Sequence, residues 1–132
     1  MPDETVFLGI MLKDKYFKIT DCTKEEGQGA TYTVSLLSDC KVYDGHFPGE
    51  PVCPGVCNIQ TVKECAQLLV GEQSLRIQSV KRCRFKALMT PMAVPHVNIS
   101  INATKHDKGY TVTARIYDAQ TEYMDFNGEM TP

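Results

Sequence analysis

Hydrophobic and polar positions alternate along several stretches of this chain and follow a helical period in one. The run Ala30-Thr31-Tyr32-Thr33-Val34-Ser35-Leu36-Leu37 carries β-branched and aromatic residues with partial alternation, as does the shorter Tyr16-Phe17-Lys18-Ile19. Glu25-Glu26-Gly27-Gln28-Gly29 between them is turn-like, so the two runs predict a β-hairpin. From Gly55 to Val70 there is no proline, good helix formers dominate, and Gly71 stands where glycine is favoured just past a helix end. At about 100° per residue, Ile59, Val62, Cys65, Ala66, Leu68, Leu69 and Val70 share one broad arc, while Gln60, Lys63, Glu64 and Gln67 fall opposite. The spacing predicts one amphipathic helix of about four turns.

Four further strands are predicted, over Arg76 to Lys86, His96 to Thr104, Tyr110 to Asp118 and Thr121 to Phe126. The breaks between them fall at Thr90-Pro91, Asp107-Lys108-Gly109 and Asp118-Ala119-Gln120. Two strands, a central helix and about four strands in hairpin succession make an α+β chain, an antiparallel sheet with a helix on one face. With no repeat, linker or low-complexity tract, residues 1–132 read as a single domain.

Composition narrows the classes. Hydrophobic residues at 42% and charged residues at 23% are those of an ordinary globular domain, which sets aside disorder, collagen and coiled coil. A formal net charge of −2 speaks against a nucleic-acid partner bound through overall charge. The start, Met1-Pro2-Asp3-Glu4, carries acids where an export signal carries Lys or Arg, and no apolar run approaches the ~18 residues of a membrane span. A cytoplasmic protein with no membrane span is the expectation. In that setting the six cysteines are read as reduced, mostly buried packing residues.

Proline and glycine concentrate between Gly45 and Gly55, and the candidate chemistry lies there. Gly45-His46-Phe47-Pro48-Gly49-Glu50-Pro51-Val52-Cys53-Pro54-Gly55-Val56 mounts a histidine on a loop stiffened by three prolines, leading straight into a helix N-terminus. Backbone N–H groups near Gly55 and Val56 are the unpaired donors at the helix's positive end and can hold a carbonyl oxygen as it gains charge. Gly55 has no side chain to block that approach.

This segment closely resembles the 3-hydroxyacyl-(acyl carrier protein) dehydratases of fatty acid synthesis, whose signature runs His-Phe-Pro-Gly, then Pro-x-x-Pro-Gly-Val into the central helix. Val80-Lys81-Arg82-Cys83-Arg84-Phe85-Lys86 resembles the family's strand ending in Arg/Lys-Phe-Lys. The resemblance implies a hot-dog fold, a long helix wrapped by a curved antiparallel sheet, and a dimer with acyl tunnels along its interface. It implies that His46 removes the C2 proton of a 3-hydroxyacyl thioester and that Gly55 N–H holds the thioester carbonyl, with no metal or redox cofactor. The substrate would arrive on acyl carrier protein or coenzyme A.

The family's second catalytic group is a Glu or Asp five residues after the Gly of the Pro-Gly pair, and here that position is Gln60. An amide hydrogen-bonds a hydroxyl but has no ionisable proton to give it. Glu64, one turn on and about 40° around the helix, is the nearest carboxylate that can compensate, from a start about 6 Å further along the axis. Gln60 equally fits a plain polar-face residue. Arg82, Arg84 and Lys86, on one face of a strand by alternation, are either a solvated face or a rim that steers an acidic carrier protein.

His96 and His106 read as surface residues. Cys53 and Cys57 near His46 lack the second ligand pair a structural zinc needs. Cys57 at the helix start is a small packing residue or a somewhat activated thiol. Three functions remain: a dehydratase of 3-hydroxyacyl thioesters, a hot-dog thioesterase, or a non-catalytic or half-site subunit supplying His46 to a heterodimer with an acid-bearing relative. A homodimer or higher oligomer is expected otherwise, since added strands cover open sheet edges.

Overall fold

The computed structural model describes residues 11–25, 27–44 and 52–132. Its elements are β1 (Phe17–Lys24), β2 (Gly29–Leu36), a 3-10 turn (Lys41–Asp44), α1 (Gly55–Val70), β3 (Arg76–Phe85), β4 (His96–His106), β5 (Gly109–Tyr117) and β6 (Glu122–Thr131). All six strands join one antiparallel sheet in the order β1-β2-β4-β5-β6-β3. The helix bounds coincide with those read from periodicity, because Pro54 enters it in an extended conformation and Gly71 leaves it at φ 77°.

Alternation along the middle strands sorts their side chains by face. Val34, Ile99, Ile101, Val112, Ala114, Ile116, Phe126 and Met130 turn inward and are buried with Val62, Cys65 and Ala66 of α1, which lies against β2, β3 and β4. The β4–β5 hairpin closes through Asp107 and Lys108, with His106 opposite Gly109. Gly109 has φ 147°, and a Cβ there would sit 2.3 Å from the Met130 carbonyl, so only glycine fits. Asp118 caps the next turn by accepting the Gln120 and Thr121 N–H groups at 2.8 and 2.9 Å.

Three expectations are corrected. β3 does not form a hairpin with β4; the ten-position connection with Pro91 and Pro95 carries the chain across, and β3 pairs with β6 at the sheet's edge. β6 runs five residues beyond Phe126, to Thr131, through Asn127-Gly128. Gly128 is there because a Cβ would meet the Ser79 carbonyl at 2.6 Å. The face of α1 opposite its apolar arc is not solvated either: Glu64 is wholly buried and Gln67 nearly so, whereas Leu68 of the apolar arc is 45% exposed.

Those buried polar side chains satisfy backbone groups of neighbouring segments. Glu64 accepts the N–H of Leu12 through Oε2 at 2.8 Å and that of Lys13 through Oε1 at 2.9 Å. Gln67 Oε1 accepts the Leu75 N–H at 3.0 Å. The segment before β1 is thereby tied onto the helix, with Leu12, Tyr16 and Phe17 fully buried beneath it. Among the described residues no helix is long and apolar enough to cross a membrane.

Glu64→Leu leaves two N–H groups without their acceptor, and an unmet buried donor costs about 1–3 kcal/mol. Urea unfolding is expected to show a loss of roughly 2–4 kcal/mol, against a clearly smaller loss for Glu64→Gln, which keeps one acceptor oxygen. Equal losses would mean that side-chain volume, not the backbone hydrogen bonds, sets the stability.

Candidate functional site

An apolar groove of about 450 Å³ opens at the amino end of α1. Among the described residues Val52, Pro54, Gly55, Val56, Phe85, Leu88 and Met89 form most of its lining, with Asn58 the one amide side chain. The intrahelical ladder begins with Cys57 and Asn58 N–H, both bonded to the Pro54 carbonyl at 3.0 and 3.1 Å. Gly55 and Val56 precede it, so their N–H groups are the donors that a helix start presents outward. The Phe85 ring lies so close over Gly55 that a Cβ there would sit 2.7 Å from it. Glycine is thus required both for approach to the helix end and for the seat of the Phe85 ring.

Beneath the groove is a buried polar cluster that the sequence patterns did not reveal. Tyr16 Oη donates to Asn58 Oδ1 at 2.8 Å, and the Tyr43 hydroxyl meets Cys53 Sγ at 3.4 Å. The two tyrosine rings are 6.0 Å apart. Burial, ahead of the neighbouring thiols and phenols, pushes Tyr16 and Tyr43 well above the ordinary phenol value, and burial also raises the Cys53 thiol. All these groups therefore stay neutral near pH 7. Tyr43 and Cys53 bracket the histidine-bearing segment, and Cys53 N–H is held by the Met89 carbonyl at 2.7 Å.

His46 lies outside the described residues. Gly55 and Val56 both line the groove. Gln60 is absent from the described lining; its Nε2 donates to Glu64 Oε2 at 3.0 Å. Helix geometry accounts for this, since position 60 is about 140° around the axis from position 55. Both Glu64 oxygens already accept backbone N–H groups, so its part is to hold the segment before β1.

Arg82, Arg84 and Lys86 do share one face of β3, and they converge on Asp125 of β6. Arg84 donates to Asp125 Oδ2 from Nε and Nη2 at 3.1 and 2.8 Å, Lys86 Nζ lies 3.3 Å from the same oxygen, and Arg82 Nε lies 3.4 Å from Oδ1. Lys86 and Arg115 also bind Glu122. Phe85, between Arg84 and Lys86, points the other way into the groove. The cations thus occupy the outer face of the strand whose inner face closes the groove, and Arg82 and Arg84 remain more than half exposed.

Four of the six cysteines are buried, Cys83 is half-buried and Cys22 is exposed. Burial, with Glu64 next, pushes the Cys65 thiol up to about 12, so it is an inert packing group.

One helix laid on a six-stranded antiparallel sheet, with the groove at the helix's amino end, is the hot-dog fold of the thioester dehydratases. The dehydratase heterocomplex ApeI:P from Xenorhabdus doucetiae shares it, with a TM-score of 0.68 at 19% identity over 87% of this chain and 97% of that one. A protein from Erwinia carotovora subsp. atroseptica follows at a TM-score of 0.55 and 20% identity, over 86% and 94%. In sequence, the family described as ApeI-like, ApeI dehydratase, matches residues 21–124, and the chain belongs to that family.

Curated relatives are 3-hydroxyacyl-[acyl-carrier-protein] dehydratases FabZ. That of Levilactobacillus brevis is 29% identical over 72 residues, 49% of this chain and 48% of the relative. That of Pediococcus pentosaceus is 23% identical over 95 residues, 67% of this chain and 64% of the relative. This chain thus spans about half to just under two thirds of the length of those relatives.

Arg84, more than Lys86 or Arg82, holds the Asp125 carboxyl below its ordinary range. A depressed carboxyl adds stability that is complete above the unfolded value near pH 4 and is lost as pH falls through the folded one. Asp125→Asn is therefore expected to flatten the acid limb of the melting curve below about pH 4. An unchanged acid limb would show that Asp125 is not coupled to folding.

Proposed function

We propose that this protein serves the elimination of water from 3-hydroxyacyl thioesters delivered by acyl carrier protein or coenzyme A. The observation that carries the reading is the apolar groove opening on Gly55 at the helix start, in a chain of the ApeI-like dehydratase family. The groove accepts an acyl chain, and the Gly55 and Val56 N–H groups hold the thioester carbonyl, which acidifies C2. His46 takes the C2 proton; that electron pair becomes the C2–C3 double bond; the C3–O bond breaks, and the hydroxyl leaves as water after receiving a proton.

Gln60 cannot supply that proton. Either the His46 imidazolium returns the one it took, or a partner chain contributes an acid. The second source is favoured by the position of Gln60 outside the described groove lining, and the similar Xenorhabdus structure is a heterocomplex. A half-site subunit supplying His46, paired with an acid-bearing relative, is therefore the reading we set beside an autonomous enzyme.

The open sheet edge supports dimerisation. β3 is an edge strand exposed along almost all its length, with Val80 and Phe85 each about half exposed, at 49% and 55%. Pairing of β3 with a second chain would cover it. Around Asp125, the four cations Arg82, Arg84, Lys86 and Arg115 outnumber the two carboxylates Asp125 and Glu122, which leaves a basic face suited to an acidic carrier. Light scattering is expected to give at least a dimer; a monomer at micromolar concentration would refute this assembly.

The activity test follows the ultraviolet absorbance of the conjugated enoyl thioester formed from 3-hydroxyacyl substrates, for the chain alone and mixed with an acid-bearing relative. His46→Ala is expected to abolish the signal with melting unchanged. Gln60→Glu places a second carboxyl against Glu64, and two carboxyls at such a distance retain a proton between them; because position 60 faces away from its own chain's groove, that proton donor serves the groove of a partner chain. Dehydration is expected to rise several-fold. A fall with an intact fold would reject the idea of a lost acid, and thiol release from saturated thioesters would establish a thioesterase instead.

A further inference from the structure

Asn58 is 5% exposed, lines the groove, and has its carbonyl oxygen occupied by the Tyr16 hydroxyl at 2.8 Å. With Oδ1 turned to Tyr16, the Nδ2 end is what this side chain can offer to the groove. An amide donor so deep in an apolar wall costs desolvation unless it finds an acceptor. Position 58 is about 60° around the helix from Gly55 and ~4.5 Å further along it, so the two lie on one side of α1, one turn apart.

An acyl thioester whose carbonyl rests on the Gly55 end has its second polar atom two carbons on, at C3. Asn58, in the same groove lining and one turn along the helix from Gly55, is placed to meet it. Gln60, about 200° around from Asn58, presents its amide to the opposite side and spends one N–H on Glu64. We infer that Asn58 is the residue that recognises the 3-hydroxyl of the acyl chain, through Nδ2, and that Tyr16 is its positioning residue. This rests on reading the groove as an acyl thioester site.

Tyr16 is suited to the task. Its hydroxyl is buried and neutral, and it is set by a tight turn in which the Leu12 carbonyl accepts the N–H groups of Lys15 and Tyr16 at 2.9 and 2.7 Å. It can therefore fix the direction of the Asn58 amide without adding charge. A site built around a donor for a hydroxyl discriminates against the analogue lacking it, because the donor is then left unmet.

The test uses two unreactive probes, the amide isosteres of 3-hydroxyoctanoyl-pantetheine and octanoyl-pantetheine, titrated calorimetrically into the full chain. The native protein is expected to prefer the hydroxylated probe by about five- to tenfold. Asn58→Leu should erase that preference while leaving the octanoyl probe bound within about twofold. Tyr16→Phe should reduce the preference but not the octanoyl affinity, whereas a merely structural role would weaken both probes together. Asn58→Ala serves if the leucine variant does not fold. Preference retained in the Asn58 variants, or absent from the native protein although both probes bind, overturns the inference and leaves the acyl-site reading standing. Failure of both probes to bind overturns the two together.

Discussion

A single buried carboxylate organises the working end of this molecule. Glu64 lies on the central helix where periodicity puts solvent, yet it is fully enclosed and takes up the N–H groups of Leu12 and Lys13. A carboxylate in that position must be matched by strong donors, because an unpaired buried charge costs several kcal/mol. Consecutive backbone N–H groups meet that need and fix the chain direction at residues 12 and 13. Asp14 then adopts φ 68° and the chain turns back through Tyr16 into β1. Once the turn is set, Tyr16 has little freedom, and its hydroxyl falls on Asn58. The order of causation runs from one carboxylate, through a turn, to the orientation of an amide in the groove.

The same carboxylate decides what Gln60 can do. In a chain with Glu at position 60, two carboxyls would face one another across a single helical turn, and one would hold a proton. With Gln60, the amide donates to Glu64 and the pair is neutral in its demands. Gln60 thereby adds a third donor to the anchor at position 64. In this chain that part of the helix holds the segment before β1.

What could be read in the sequence follows the range of the interactions concerned. The bounds of α1 and the β4–β5 and β5–β6 turns depend on neighbours within a few residues, and they were legible from Gly71, Asp107-Lys108-Gly109 and Asp118. The motif at Gly55 was legible for the same reason. The place of β3 at the sheet edge was not, because it depends on pairing with β6 some forty residues later. Glu64 and Asn58 were missed likewise: their partners lie 52 and 42 positions upstream, and a count of apolar residues assigns polar side chains to water by default. The apolar arc failed at Leu68 on the same ground, since the segments covering each side of a helix are not encoded in its own period.

Helix geometry also bears on how many chains a working site needs. Gly55 and Asn58 are about 60° apart, close enough for one ligand to touch both, whereas Gln60 is about 140° from Gly55 and turned towards the Leu12 and Lys13 side. No rotamer change brings a side chain around that angle past the backbone of its own helix. A carboxyl at position 60 is therefore out of reach of its own chain's Gly55 groove, whose wall is closed by Phe85 of the edge strand β3. Within one chain, then, the groove brings together the Gly55 helix start and the Asn58 amide, the two groups proposed to hold a thioester carbonyl and a hydroxyl. On the proposed reading, the angular spacing of three residues on one helix leaves the proton for that hydroxyl to the imidazole or to a partner chain.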